Sequence, residues 1–177
     1  IGELLLQCDW GDNHNAYFLG DYVTLGKYQY SVYDNGDSLW WRGKHEIGDP
    51  GVKVLQWEVR VMPSQDGERL DFVTEVTFEP YNKRLRVAFP VADDTKESIW
   101  EIPYGFLKRH FDPEKVEAFS AEFADIAIRS IGEYPALHWV RHDIDETCGV
   151  AILNRGIPSA KWIPGCFELS LLRSPMM

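Results

Sequence analysis

Residues 52–78 hold the feature that most restricts what this chain can fold into. Between Val52 and Met62 the side chains alternate. Leu55, Trp57, Val59 and Val61 share one face of an extended segment, and Val52, Val54, Gln56, Glu58, Arg60 and Met62 share the other. A period of two is the mark of a strand with one apolar side. Pro63-Ser64-Gln65-Asp66-Gly67 is a turn by composition, since Asp-Gly supplies a positive φ at little steric cost. Arg69 to Phe78 then returns with Leu70, Phe72, Thr74, Val76 and Phe78 alternating inward. The pattern predicts a long antiparallel hairpin.

Further strands follow in the same style. Arg84 to Phe89 sets Leu85, Val87 and Phe89 on one face, Ser98 to Ile102 is closed by Pro103, and Leu137–Arg141, Cys148–Leu153 and Phe167–Leu172 complete the series. Seven Trp, eight Tyr and nine Phe make 14% of the chain, a bias that favours strands over helices. One short helix is predicted after Asp112, a good N-cap. Pro113 suits its first position, and Val116, Phe119 and Phe123 follow at helical spacing. The first fifty residues are looser, rich in Tyr, Asp and Gly. No fixed-period repeat, low-complexity tract or linker divides the 177 residues, so one β-domain is expected over 1–177, as an all-β antiparallel sandwich or large sheet assembly.

Charge narrows the partners. Asp and Glu number 28 against 18 Lys and Arg, a net −10 that repels phosphate backbones and anionic lipid. Nucleic acid and membrane surfaces are therefore poor partners, and a neutral or cationic small molecule fits better. No apolar run approaches the roughly 20 residues that span a bilayer, and Ile1-Gly2-Glu3-Leu4-Leu5-Leu6 lacks the basic region of a signal peptide. Both ends read as cut from something longer. Cys8, Cys148 and Cys166 are odd in number and unrelated in spacing, which suits free thiols in a reducing, cytoplasmic setting.

No self-contained active site is visible. Nucleophile elbows, phosphate loops and dinucleotide fingerprints are absent. Asp9-Trp10-Gly11-Asp12 is either a metal- or hydroxyl-binding loop or ordinary turn chemistry, and Asn13-His14-Asn15 adds only uncharged donors where a calcium loop wants more oxygens. His138, His142, Asp143, Asp145 and Glu146 could be drawn as a metal cluster. Leu137, Trp139 and Val140 read as strand, however, where residues four apart lie too far from each other for one ion. Neither a metal ligand nor a catalytic residue is assigned. Trp57, Trp100 and Trp139 are expected to fill the core. Trp40, Trp41 and Tyr17 lie among Gly, Asp and Asn, where exposed rings would stack on sugar C–H faces.

Several stretches, in order, resemble the C-terminal β-domain of glycoside hydrolase family 38, the retaining α-mannosidases, with bacterial members nearest. Asn82-Lys83-Arg84-Leu85-Arg86-Val87-Ala88-Phe89-Pro90 is similar to that family's N-x-R-L-R-V-x-F-P strand. Glu101-Ile102-Pro103-Tyr104-Gly105 resembles its E-I-P-Y-G segment, and Arg109 its following Arg. Tyr134-Pro135-Ala136-Leu137-His138-Trp139-Val140 with Cys148-Gly149-Val150-Ala151-Ile152-Leu153-Asn154 resembles its next pair of motifs. Leu169-Ser170-Leu171-Leu172-Arg173-Ser174 is similar to its closing strand.

The resemblance implies a galactose-mutarotase-like supersandwich that is part of a larger glycosidase. It also implies that the zinc and both catalytic carboxylates belong to a preceding α/β barrel, so that no cofactor is held here. The segment's implied partners are that N-terminal catalytic domain and an α-mannoside substrate, with homo-oligomer contacts a further expectation. Asn15-Ala16-Tyr17-Phe18-Leu19 is similar to the family segment whose Tyr faces the bound sugar. On that match Tyr17 donates a hydrogen bond to substrate and Asp12 lines the same loop, while Asn15 departs from the family's Gly. The other readings of the residues are a stand-alone carbohydrate-binding module built on Trp40, Trp41 and Tyr17, and a purely structural β-domain.

Overall fold

The computed structural model describes residues 2–9, 19–24, 30–34, 38–47, 53–78, 83–92, 97–112, 133–157 and 159–174. These residues form antiparallel strands and no helix. The strands are β1 (Glu3–Asp9), β2 (Leu19–Thr24), β3 (Tyr30–Asp34), β4 (Leu39–Ile47), β5 (Lys53–Pro63), β6 (Leu70–Thr77) and β7 (Lys83–Pro90). They continue with β8 (Glu97–Ile102), β9 (Gly105–His110), β10 (Glu133–Pro135), β11 (Trp139–Asp143), β12 (Gly149–Leu153), β13 (Ser159–Ile163) and β14 (Cys166–Ser174). The expected helix falls outside the described residues beyond Asp112. The all-β class and the antiparallel sheets agree with the sequence reading.

The chain divides into two compact units, one spanning Thr24–Tyr81 and the other built from Glu3–Val23 with Asn82–Met177. The first holds a four-stranded sheet in the order β3-β4-β5-β6. Its centre is the predicted hairpin, with Val61 opposite Phe72 and Pro63 opposite Leu70. Gly67 closes the turn at φ +75°, and its N–H donates to the Ser64 carbonyl at 3.0 Å. Leu55, Trp57, Val59 and Val61 are buried, as their alternation requires. Leu70 departs from its expected inward setting, being 47% exposed where the strand begins.

The second unit holds a six-stranded sheet, β10-β13-β14-β7-β1-β2, and a four-stranded sheet, β12-β11-β8-β9. Their apolar faces oppose each other. His142 of β11 stacks on Trp162 of β13 with centroids 4.6 Å apart, and Trp100 of β8 meets Tyr134 of β10 edge-on at 5.7 Å. Leu85, Phe167, Trp100 and Trp162 are at most 2% exposed, each contributing about 1.5–3 kcal/mol by burial.

Trp139 corrects one expectation. Val140 and His142 point inward at 1% exposure, so Trp139 between Leu137 and Arg141 lies on the outer face, half-buried. A polar imidazole took the inward register because its Nδ1 lies 2.8 Å from the Glu97 carbonyl and its ring covers Trp162. Trp57 and Trp100 are core, and Trp162 joins them.

Candidate functional site

Of the predicted sugar-facing residues, Tyr17 and Asp12 lie outside the described residues. Trp40 and Trp41 are consecutive in β4, and strand alternation sends them to opposite faces. The structure does not bring them together as one platform. Trp40 shares its face with Arg60 of β5, whose guanidinium carbon sits 3.8 Å from the ring centroid, a cation–π contact. Its indole Nε1 donates to Ser38 Oγ at 2.5 Å. One ring face is thereby engaged by Arg60.

Beside Trp40, the register lines up two polar rows across three strands. Arg42, Glu58 and Glu75 form one, and Lys44, Gln56 and Thr77 the next. Together they line a shallow cavity of about 650 Å³, within the range of small-molecule sites. Gly43 separates Arg42 from Lys44, and a Cβ there would collide with the Trp57 indole on the reverse face. The groove presents hydrogen-bond donors at Arg42 and Lys44 beside acceptors at Glu58 and Glu75, with Gln56 and Thr77 able to do either.

A second constellation is buried. On the six-stranded sheet, Gln7, Arg84, Arg86, Lys161 and Glu168 are each at most 7% exposed. Glu133 is their hub. One carboxylate oxygen accepts from Arg84 Nη1, Ser159 Oγ and, at 3.2 Å, Ser170 Oγ; the other accepts from Arg86 Nη2. Arg86 Nε donates to Gln7 Oε1 at 2.9 Å, and its Nη1 keeps a longer ion pair of 3.8 Å with Glu168. Burial works to raise the Glu133 carboxyl's pKa, but Arg86, Arg84 and the Ser159 hydroxyl together hold it below its ordinary value. Burial pushes Lys161 below the usual lysine range against the pull of Glu168.

The sequence reading missed this cluster. Arg84 and Arg86 alternate with Leu85 and Val87, which looks like a solvated face. Nothing local signals that Glu133 arrives from far along the chain, so only the pairing of β10 with β13 and of β14 with β7 reveals it.

The His138 region separates by environment. His142 is buried, whereas the exposed His138 donates its backbone N–H to Glu101 at 2.7 Å and brings its ring Nδ1 to 3.2 Å from that carboxylate. Asp145 accepts from Thr147 N, Thr147 Oγ1 and Cys148 N within 2.8 Å, which is turn chemistry and holds its carboxyl below the usual range. Among the described residues, no group of three or more His, Cys, Asp or Glu side chains gathers as a metal site.

Residues 37–177 match the family model described as the glycosyl hydrolases family 38 C-terminal domain. The fold superposes on an alpha-mannosidase from Enterococcus faecalis V583 with a TM-score of 0.74 at 15% identity, covering 99% of this chain and 22% of that one. A glycosyl hydrolase family 38 protein from Enterococcus faecalis gives a TM-score of 0.70 at 15% identity, covering 99% and 23%. The chain thus spans less than a quarter of either. No curated protein matches it.

Proposed function

The chain belongs to the C-terminal domain family of the family 38 glycosyl hydrolases, and on that premise we propose that it is the non-catalytic β-portion of an α-mannosidase-like enzyme. In this reading it scaffolds a catalytic barrel and closes one side of the sugar cleft. The observation that carries the reading is the family match over residues 37–177, supported by a common fold along 99% of the chain with an alpha-mannosidase.

The described residues do not fit a zinc site: His142 is packed on Trp162, and His138 is turned to Glu101. Zinc and the two carboxylates that would perform double displacement are assigned instead to the barrel. Tyr17 is assigned as a hydrogen-bond donor to the mannoside, with Asp12 on the same loop. A reducing, cytoplasmic setting suits the unpaired Cys148 and Cys166.

The test is hydrolysis of an aryl α-mannoside by the native gene product, beside its Tyr17→Phe variant. Turnover by the parent, with a drop of at least tenfold in the folded variant, supports both assignments. No turnover overturns the glycosidase reading, and an unchanged variant removes Tyr17. The second reading, a carbohydrate-binding module, is favoured by the polar groove beside the half-buried Trp40. It predicts quenching of tryptophan fluorescence by free mannosides in a gene product that lacks hydrolysis.

A further inference from the structure

The outer face of the β12-β11-β8-β9 sheet collects apolar side chains at one end. Trp139 pairs with Leu153, and Val140 with Trp100, so the next rung sets Trp139 beside Glu101, which pairs with Phe106. Leu153, Trp139, Glu101 and Phe106 therefore form one row across four strands. Leu137 adjoins it through its N–H to the Glu101 carbonyl, and Tyr104 follows in the β8–β9 turn. Exposure is 109% at Tyr104, 73% at Leu153, 62% at Phe106 and 42% at Leu137. The one charge in the row, Glu101, is engaged by His138. Two and four residues further along β11 on the same face, Arg141 and Asp143 form an ion pair at 2.8 Å and supply a polar rim. A contiguous apolar centre with a polar margin is the anatomy of a protein interface.

Tyr104 adds an independent observation. Ile102 pairs with Gly105, which leaves Pro103 and Tyr104 as a two-residue loop with Tyr104 at φ +70°. That conformation suits glycine and strains a tyrosine. Full exposure means that nothing described in this chain offsets the strain. An observed outlier of this kind points to a role met by a contact outside the described residues.

We propose that this end of the sheet is the docking surface for the catalytic portion of the same polypeptide, an inference that rests on the reading of the chain as the β-portion of a family 38 enzyme. The 22% and 23% coverages mean that over three quarters of such an enzyme lies outside this fold, tethered to it at high effective concentration. A second copy is disfavoured as the occupant by the net charge of −10. A saccharide is disfavoured because the patch is mainly aliphatic and aromatic and its one carboxylate, Glu101, is already engaged by His138.

Hydroxyl-radical footprinting of the native gene product tests this, with a free peptide of residues 101–107 as the fully exposed reference. Tyr104 and Phe106 should be oxidised about tenfold more slowly in the protein than in the peptide, at every protein concentration and without added sugar. Equal rates in a gene product longer than this chain overturn the docking surface and leave the family reading standing. Protection that needs added mannose, or that vanishes on dilution, also overturns it, in favour of a saccharide or a second copy respectively. A gene product of only this chain's length removes both inferences, and its mass shows that before any footprint is taken.

Discussion

Replacing Glu133 with Gln should cost the folded state about 3 kcal/mol. The carboxylate bridges Arg84 and Arg86, whose side chains are 9% and 0% exposed. Two charge-assisted hydrogen bonds of roughly 1.5–3 kcal/mol each are weakened. Gln keeps the shape and can still accept from Ser159 and one Arg, which offsets part of that loss. The remainder is the penalty for leaving buried guanidinium charge short of a counter-ion, for which removal of one partner typically costs about 3–5 kcal/mol.

The assay is urea unfolding followed by the fluorescence of the buried Trp100 and Trp162, with the m-value expected to be unchanged. The pH dependence carries a second signature. Because Glu133 is held below its ordinary value of 4.5, the native state keeps it ionised where the unfolded chain takes up a proton. Its contribution is therefore complete above about pH 4.5 and is lost as pH falls through the folded-state value. The gap between parent and variant should close over that interval. A loss under about 1 kcal/mol at pH 7, or a gap that persists unchanged into acid, would refute the claim that the Glu133 charge organises this sheet.

Two further outcomes follow from packing. Gly43→Ala drives a methyl into the Trp57 indole, which is 5% exposed and has little room to yield. A destabilisation of about 1–3 kcal/mol is expected, seen as a fall in Tm of roughly 2–4 °C per kcal/mol, and an unchanged Tm contradicts the close approach. Burial, with Glu168 adding to it, pushes the Cys166 thiol up to about 11, so only about a thousandth of it is thiolate at pH 8. Under native conditions iodoacetamide should therefore label the exposed Cys148 at least ten times faster than Cys166, and equal rates by peptide mass spectrometry speak against it.

The strands that could be read from sequence were those with a strict period of two between strong turn residues. The β5–β6 hairpin is the clearest, with boundaries within a residue or so. Strand β9 escaped because Pro103 reads as a stop, whereas it is the first residue of a two-residue loop and the chain pairs straight back. Strand β13 escaped because Lys161, a charged residue buried at 6%, breaks any apolar pattern. Trp139 faces outward, against the apolar reading of its strand, because the inward register is fixed by the contacts of His142 across the sandwich. Of the candidate sugar-facing residues, the sequence could single out the Trp40-Trp41 pair but not its division between faces, which needs the strand itself. The Glu133 hub was out of reach, since its charge balance exists only after β10, β13, β14 and β7 have paired.

Strand β7 also governs the order in which the molecule can be made. Ala88 pairs with Glu3 on one side and with Glu168 on the other, about eighty residues away in either direction. During synthesis β1 emerges early and must wait for β7, and β7 must in turn wait for β14 before both its edges are covered. Contacts of such long sequence separation are slow to close and leave unpaired edges while they form. The β5–β6 hairpin, by contrast, can close on its own as soon as it is made. Folding of this chain should therefore start in the locally paired sheet, and the six-stranded sheet should be the last to form and the most exposed to misassembly.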